Sequence, residues 1–182
     1  MSAAPNEPAG AFECVEQFDE LVKSKLIDVL RHAPSTLRDA VTELTDSELD
    51  QKYKNWTARQ IVHHLADSHV HSYIRFKWAL SEQNPTIKAY EEGDWVVLPD
   101  AQFGAVEPAL MLATGIHAKR VQLLESMSET DFARTFVRPQ TGETVSLWTA
   151  LNYYSWHSRH HTAQILWLRG RPTLDATRSE SV

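Results

Sequence analysis

The fold of this chain is decided by residues 148–172, whose sequence is WTALNYYSWHSRHHTAQILWLRGRP. Apolar residues recur along this stretch at intervals of three and four, which is the period of a helix with one buried face. Ser146 is a suitable N-cap, and Gly170 followed by Pro172 is a typical stop signal. The stretch therefore predicts one long helix that packs into the interior of the protein.

Three histidines lie in the middle of this predicted helix. His157 and His161 are four residues apart, so they project from the same face, one turn apart. The apolar stripe passes through both positions, whereas His160 lies roughly 60° to one side. Buried imidazoles need a polar partner. A shared metal ion would satisfy both side chains.

A second long helix is predicted to begin near residues 55–57 and to end at Asn84-Pro85. It carries histidines at positions 63, 64, 69 and 71, and no two of these are three or four residues apart. His64 and His71 share a face, but about 10.5 Å separates them along the axis, which is too far for one ion. We therefore expect this helix to offer a single ligand.

Two further amphipathic helices complete the pattern. One begins at Cys14, and Pro34 either kinks it or divides it into two pieces. The other begins at Glu107-Pro108, with the proline at its first helical position. A long connection at residues 85–105 precedes it, and a hairpin-like excursion around residues 140–142 precedes the last helix. Four long helices predict an all-α bundle.

Length and composition indicate one globular domain. The chain has 182 residues, of which 42% are hydrophobic, and we expect the domain to span residues 13–172. Residues 1–12 are predicted to form a loosely held arm, and residues 173–182 a tail. A net charge of -6 argues against nucleic-acid binding. The single Cys14 and the lack of an apolar run of about 18 residues predict a cytoplasmic protein without a membrane span.

Histidines from two facing helices would form an open metal site. Three neutral imidazoles leave coordination positions free, as in catalytic rather than structural zinc sites. Imidazole ligands suit zinc, nickel, cobalt or iron. The HEXXH pattern of metalloproteases is absent, because Ser158 stands where the glutamate would be. On spacing alone, two ordinary helix histidines remain an alternative.

Three segments carry a close resemblance to a known family. They are WTARQIVHHLADSH (56–69), SYIRFKWALSEQNPTIKAYEEGDW (72–95) and YSWHSRHHTAQI (154–165). Together they resemble the DinB/YfiT-like superfamily, in the branch described as metal-dependent hydrolases and bacillithiol S-transferases. The resemblance extends from the first helix to Arg169, and its two histidine motifs are far more specific than a lone HxxxH.

The resemblance implies an up-down-down-up four-helix bundle that holds one divalent metal, Zn²⁺ or Ni²⁺ in the first instance. Carried over residue by residue, it assigns the ligands to His64, His157 and His161. It also suggests a homodimer. The remaining histidines of the motifs and of the third helix are then expected at the surface or around the ligands; they are His63, His69, His117 and His160.

Other polar residues are weaker candidates for the site. Asp67 lies one turn beyond His64, and Gln164 one turn beyond His161, so either could orient an imidazole or contact a substrate. A helix-surface hydrogen bond is the alternative for both. Arg75 and Arg159 could hold an anionic substrate with paired hydrogen bonds.

These observations lead to three hypotheses of function. In the first, which the resemblance supports, the ion activates a low-molecular-weight thiol of the bacillithiol type for transfer to an electrophilic small molecule. In the second, the ion activates water to hydrolyse an ester, an amide or a similar bond. In the third, the bundle is a non-catalytic metal-binding or stress-related protein.

Overall fold

The computed structural model of the chain describes residues 3–170, so the predicted tail at residues 173–182 lies outside the described part. Eight helices and four short strands occur in this part. In chain order they are α1 (Glu20–Val41), α2 (Asp46–Leu49), β1 (Lys52–Tyr53), β2 (Trp56–Thr57), α3 (Ala58–Ser81), α4 (Glu92–Trp95), α5 (Pro99–Phe103), α6 (Val106–Ser126), α7 (Glu129–Phe132), β3 (Thr135–Val137), β4 (Thr144–Ser146) and α8 (Leu147–Leu168).

The direction of α6 relative to α1 follows from contacts at their ends. Near the start of α1, the ammonium of Lys23 donates to the carbonyl oxygen of Met127, just after α6. Near the end of α1, Arg38 forms an ion pair of 2.7 Å with Glu107 in the first turn of α6. The two helices are therefore antiparallel.

The directions of α3 and α8 complete the topology. Along α3, the partners in α8 run backwards, from His157 opposite His64 to Tyr154 opposite Arg75. Helix α8 runs parallel to α1, because Arg169 at its end donates to the carbonyl oxygens of residues 39 and 40 near the end of α1. The four long helices thus run up, down, down and up, and the predicted bundle is confirmed.

The start of α3 is fixed by its own sequence. Thr57 and Gln60 form a capping box, and β2 pairs with β1 immediately before it. Arg59 then donates to the carboxylates of Asp46 and Asp50, each at 2.8 Å. These contacts hold the turn of α3 that precedes its histidine pair, and the predicted start at residues 55–57 is confirmed.

The first helix starts later than its apolar pattern indicates. The prediction of a start at Cys14 was wrong, because α1 begins at Glu20 with Asp19 as its N-cap. The preceding residues are not helical, since the backbone of Val15 is engaged by side chains of α8. The indole of Trp148, for example, donates to its carbonyl oxygen at 2.6 Å. Of the apolar residues before α1, Val15 has an exposed side chain, whereas the ring of Phe18 packs on Trp148 of α8.

The N-terminal arm is packed against the bundle where it is described. The indole of Trp156 donates to the carbonyl oxygen of Gly10 at 2.9 Å, and the ring of Phe12 packs against the same indole. The hydroxyl of Tyr53 donates to the carbonyl oxygen of Pro5. The expectation of a loosely held arm does not describe these residues.

The other predicted boundaries need small changes. Pro34 lies inside one continuous α1, which settles the alternative left open by the sequence. Pro108 is the third helical residue of α6 rather than the first, because the helix begins at Val106. The long connection at residues 85–105 contains the short helices α4 and α5. The predicted hairpin is present as β3 and β4, and Gly142 in its turn has a φ of 69°.

The interior contains two apolar clusters, each built from all four long helices. Between them lies a layer of buried polar side chains, which we name the polar band. Its members are His64, Ser68, His69, Ser72, His117, Arg120, Ser155, His157, Ser158 and Thr162. Within residues 3–170, none of the helices has both the length and the apolarity needed to cross a membrane.

Arg120 is the most unusual member of the polar band. Its guanidinium is fully buried, and one of its nitrogens contacts Nδ1 of His69 at 3.2 Å. The rings of Phe76 and Tyr154 lie 5.2 and 4.8 Å from the guanidinium carbon. Its Nε and Nη2 have no hydrogen-bond partner among the described residues. Burial lowers the pKa of Arg120 to about 10, so the group is still charged at neutral pH.

His117 makes the polar band sensitive to acid. Burial lowers the pKa of His117 to about 4, while its Nδ1 lies 2.6 Å from the carbonyl oxygen of Leu30. Below the unfolded pKa of about 6.5, the unfolded chain binds a proton that the folded chain excludes, so stability falls as the pH decreases toward about 4. We expect His117→Asn, which keeps a donor near that carbonyl but does not titrate, to lose less stability on acidification.

The measurement is urea unfolding of the wild type and of His117→Asn at pH 7.5 and pH 4.5. The wild type should lose up to about 3 kcal/mol more than the variant over this range, given about 1.4 kcal/mol for each pKa unit. Equal losses in the two proteins would show that His117 is not responsible.

Candidate metal centre

Three histidines converge where α3 crosses α8. The Nε2 atoms of His64 and His157 are 3.2 Å apart, and one ring nitrogen from each of the three residues, His161 included, lies within 4.8 Å of the others. His64 and His157 are buried, and His161 is partly exposed. The structure therefore brings together the three ligands assigned from the sequence.

This arrangement fits a divalent metal. At Zn–N distances of about 2.0–2.1 Å, two nitrogens of a tetrahedral site are about 3.3 Å apart. The observed separation of 3.2 Å between His64 and His157 matches this value. The third nitrogen needs an adjustment of at most about 1.5 Å to reach the same geometry. Among residues 3–170, the group of potential ligands contains these three histidines and no carboxylate.

The protonation of the three rings also suits a metal. Burial lowers the pKa of His64 to about 4. Burial, together with the neighbouring imidazoles, holds the pKa of His157 and of His161 well below the usual value of histidine. All three rings are consequently neutral at pH 7, which is the form that binds metal ions.

An indole covers one side of the cluster. The ring of Trp56 lies 4.7 Å from that of His64 and is stacked on that of His161 at 6.2 Å, measured between centroids. Its position is set by β2, which leads directly into α3. The indole limits the access of water from this side.

Gln164 holds the ring of His161. Its Oε1 lies 2.8 Å from Nδ1 of His161, and its Nε2 lies 3.0 Å from Nε2 of His160. A neutral imidazole that offers Nε2 to an ion must carry its proton on Nδ1, so the amide oxygen is the acceptor. Of the two roles considered from the sequence, the geometry favours the orienting one.

Replacing Gln164 with Leu is expected to weaken metal binding by about 10- to 100-fold, as is typical when the partner of a ligating imidazole is removed. Gln164→Glu keeps an acceptor for the Nδ1 proton, so this variant should bind at least as tightly as the wild type. Competition with a chromophoric chelator measures both affinities. Equal weakening in the two variants would contradict the orienting role.

Asp67 is not part of the cluster. Burial, together with the carboxylate of Asp100, raises the pKa of Asp67 to about 6. This influence places Asp67 near the segment that forms α5.

The other histidines are outside the ligand group. His69 and His117 are buried and stack on each other with centroids 4.6 Å apart, so neither is at the surface. The ring of His69 lies 5.7 Å from that of His157, which agrees with the alternative of a position around the ligands. His63 is also buried and faces the backbone at Gly104. His160 is half-buried and stacks on Trp156.

A cavity of about 340 Å³ lies near the metal-site histidines, on the side where Tyr153 packs against His157, but His64, His157 and His161 do not line it themselves. It is lined in part by Ser68, one turn after His64, and by Tyr153, whose ring lies 5.5 Å from that of His157. Arg75, which was considered from the sequence, lines it as well, whereas Arg159 does not. Sequence reasoning missed Arg138, because a hairpin remote in sequence brings it here.

Comparison with known proteins places this architecture in a family. The sequence profile of the DinB superfamily matches residues 30–165. This chain belongs to the DinB superfamily. The resemblance drawn from its histidine motifs is thereby confirmed.

DinB proteins similar to this chain occur in several bacilli. One from Bacillus mycoides strain KBAB4, named "Putative metal-dependent hydrolase", is 43% identical over 166 residues, which cover 90% of this chain and 95% of that protein. YfiT from Bacillus subtilis strain 168, with the same description, is 42% identical over 166 residues, covering 90% and 93%.

The solved structure of Bacillus subtilis YfiT superposes on this DinB chain with a TM-score of 0.87 at 40% identity. The superposition covers 90% of this chain and 95% of the YfiT chain. The YfiT protein is described as "a probable metal-dependent hydrolase with an unusual four-helix bundle topology".

Proposed function

We propose that this DinB protein is a metal-dependent enzyme that activates a low-molecular-weight thiol and transfers it to an electrophilic substrate. In this proposal His64, His157 and His161 hold one divalent cation, Zn²⁺ or Ni²⁺. The observation that carries it is the convergence of three neutral imidazoles, without a carboxylate in the described ligand group, beside a cavity.

The chemistry follows from the donor set. Three neutral ligands leave the full charge of the ion in place, and a divalent ion lowers the pKa of a thiol or water that it binds. A thiol, with an unperturbed pKa of about 8.5, needs much less assistance than water, with a value of 15.7. The lower starting pKa therefore favours the thiol as the nucleophile.

The residues of the chain have distinct tasks in this reaction. Trp56 restricts water on one side of the histidines, and Gln164 holds the tautomer of His161. The cavity beside Tyr153 accommodates the remainder of the reactants. The thiol releases its proton to solvent, its sulfur forms a bond to the electrophilic carbon, and the leaving group departs with the bonding electrons.

Hydrolysis is the second candidate function, because the relatives carry the name of metal-dependent hydrolases. In that case water takes the place of the thiol, and no thiol is needed for turnover. The same histidines would hold the ion. The two functions thus differ in the nucleophile and not in the metal site.

The decisive experiment measures product formation by protein loaded with Zn²⁺ or Ni²⁺. Monobromobimane is supplied with bacillithiol, glutathione, mycothiol or cysteine, and chelator-stripped protein is the control. We expect at least one thiol to react faster than both the stripped protein and the spontaneous reaction. A panel that stays at the background rate would defeat the transferase proposal.

A parallel assay with p-nitrophenyl esters and no thiol tests hydrolysis. Turnover in this assay, combined with a silent thiol panel, would assign the protein to the hydrolases. A bound ion with activity in neither assay would favour a non-catalytic metal-binding protein.

A further inference from the structure

We propose that the cavity beside the three histidines contains a carboxylate-binding subsite centred on Arg75. The ligand for this site is then a molecule with a metal-binding group at one end and a carboxylate at least about 4 Å away, a span estimated from helix geometry. The identity of the metal-binding end as a thiol rests on the proposed function. The carboxylate subsite does not, and it is tested separately below.

The hydrogen bonding of Arg75 leaves one edge of its guanidinium available. Nη1 donates to the hydroxyl of Tyr154 at 2.7 Å. Nε is buried and has no partner among the described residues. The side-chain hydrogen bond that Arg75 makes within residues 3–170 uses Nη1 and leaves Nη2 out. Nε and Nη2 form the side edge of the guanidinium plane, which matches the two oxygens of a carboxylate. Arg75 is therefore prepared for a bidentate anion.

The charges around the cavity favour an anion over a neutral ligand. Arg75 and Arg138 both line it, and the acidic residue that lines it is Glu92. No ion pair within 4.0 Å joins Glu92 to Arg75. Burial raises the pKa of Glu92, and both arginines act against this rise. Arg138 shares its charge with Glu143 at 3.5 Å, outside the cavity. With two arginines and one glutamate, the cavity lining carries an excess of one positive charge.

The position of Arg75 sets the length of that ligand. It follows His64 by 11 residues on α3, which is about 16 Å along the axis. Side chains on a helix tilt toward its N-terminus, so Arg75 reaches back toward the histidines. Its contact is Tyr154, three residues before His157 on α8. An arginine side chain reaches about 7 Å at most, which leaves at least about 9 Å between the guanidinium and the ion. The metal–ligand bond and the hydrogen bond to the arginine take up about 5 Å of this distance.

Two thiols of equal length test the subsite on Co²⁺-loaded protein. They are 6-mercaptohexanoate, which carries a carboxylate at about the required distance, and 6-mercaptohexanol, which does not. Binding is followed by the charge-transfer absorption that a sulfur ligand gives to Co²⁺. We expect the acid to bind at least tenfold more tightly than the alcohol, and mercaptoacetate, which is too short, to show no such advantage.

Variants of the arginine identify the residue responsible. Arg75→Met should abolish the advantage of the acid while leaving the affinity for the alcohol within about twofold. Arg31→Met removes a charge from the outer surface, where Arg31 pairs with Glu125, and should keep the advantage. Arg75→Lys keeps the positive charge but lacks the planar guanidinium, so it should lose most of the affinity advantage of the acid over the alcohol. If Arg75→Met does not fold, as judged by its thermal unfolding, Arg75→Lys decides.

Calorimetric titration of metal-free protein with adipate separates this inference from the proposed function. Adipate should bind the wild type and Arg31→Met but not Arg75→Met. If adipate binds but neither thiol produces the charge-transfer absorption of a sulfur ligand on Co²⁺, the thiol proposal is contradicted and the carboxylate subsite is supported. Equal affinities for the two thiols, together with no adipate binding, would overturn the subsite. Tighter binding of inorganic phosphate than of adipate would overturn the assignment to carboxylate.

Discussion

Replacing His161 with Ala is expected to abolish stoichiometric metal binding while the four-helix bundle remains folded. His161 supplies one of three nitrogens that lie within 4.8 Å of one another, and the described group offers no carboxylate to replace it. Its side chain is partly exposed, so truncation opens no sealed cavity. We expect the dissociation constant to rise by about 10³-fold or more, equivalent to about 4 kcal/mol.

Metal content after dialysis, measured by mass spectrometry, and chelator competition quantify this effect. His160→Ala is the matched control, because it removes a neighbouring imidazole that contacts Gln164 but lies outside the ligand group. Its affinity should stay within about tenfold of the wild type. One ion for each chain at wild-type affinity in His161→Ala would show that the ligand set is wrong.

Replacing Arg120 with Met is expected to stabilise the protein. The guanidinium is fully buried and has one hydrogen-bonding contact, to His69, with Nε and Nη2 unpartnered among the described residues. Methionine of similar length keeps contact with Phe76 and Tyr154 without the desolvated charge. Replacing buried ionic groups by well-packed apolar ones often stabilises by about 1–4 kcal/mol. For a chain of this size, each kcal/mol raises Tm by about 2–4 °C.

Thermal and urea unfolding of Arg120→Met and Arg120→Ala test this expectation. The alanine variant leaves a cavity and should be less stable than the methionine variant by about 2–3 kcal/mol. A methionine variant less stable than the wild type would mean that the contacts of Arg120 with the two rings and with His69 outweigh the desolvation of its charge.

The long helices were predictable because their determinants are local. The stripe and stop signal of α8, and the capping box of Thr57 and Gln60 before α3, lie within the elements that they define. The start of α1 also has a local signal, the N-cap Asp19, but the apolar pattern continues before it. The non-helical position of Val15 involves a contact that is remote in sequence, the hydrogen bond from the indole of Trp148, 133 positions away.

The candidate site likewise contains residues that the sequence predicts and residues that it does not. The histidines stand in short motifs, so their convergence follows once α3 and α8 are placed side by side. Arg120 and Arg138 belong to no motif, and a charged side chain on an amphipathic helix is normally expected to face solvent. Their buried or cavity-lining positions arise from neighbours on other elements, such as His69 and Tyr154 around Arg120.

His64 and His157 are 93 residues apart in sequence, yet their ring nitrogens nearly touch. An ion shared by them would act as a removable cross-link across half of the chain. It would tie together α3 and α8, which with α6 supply the polar band, where apolar packing is interrupted. The metal content of the protein would then determine how often α3 and α8 separate locally. Resistance to proteases should therefore rise and fall with the metal content.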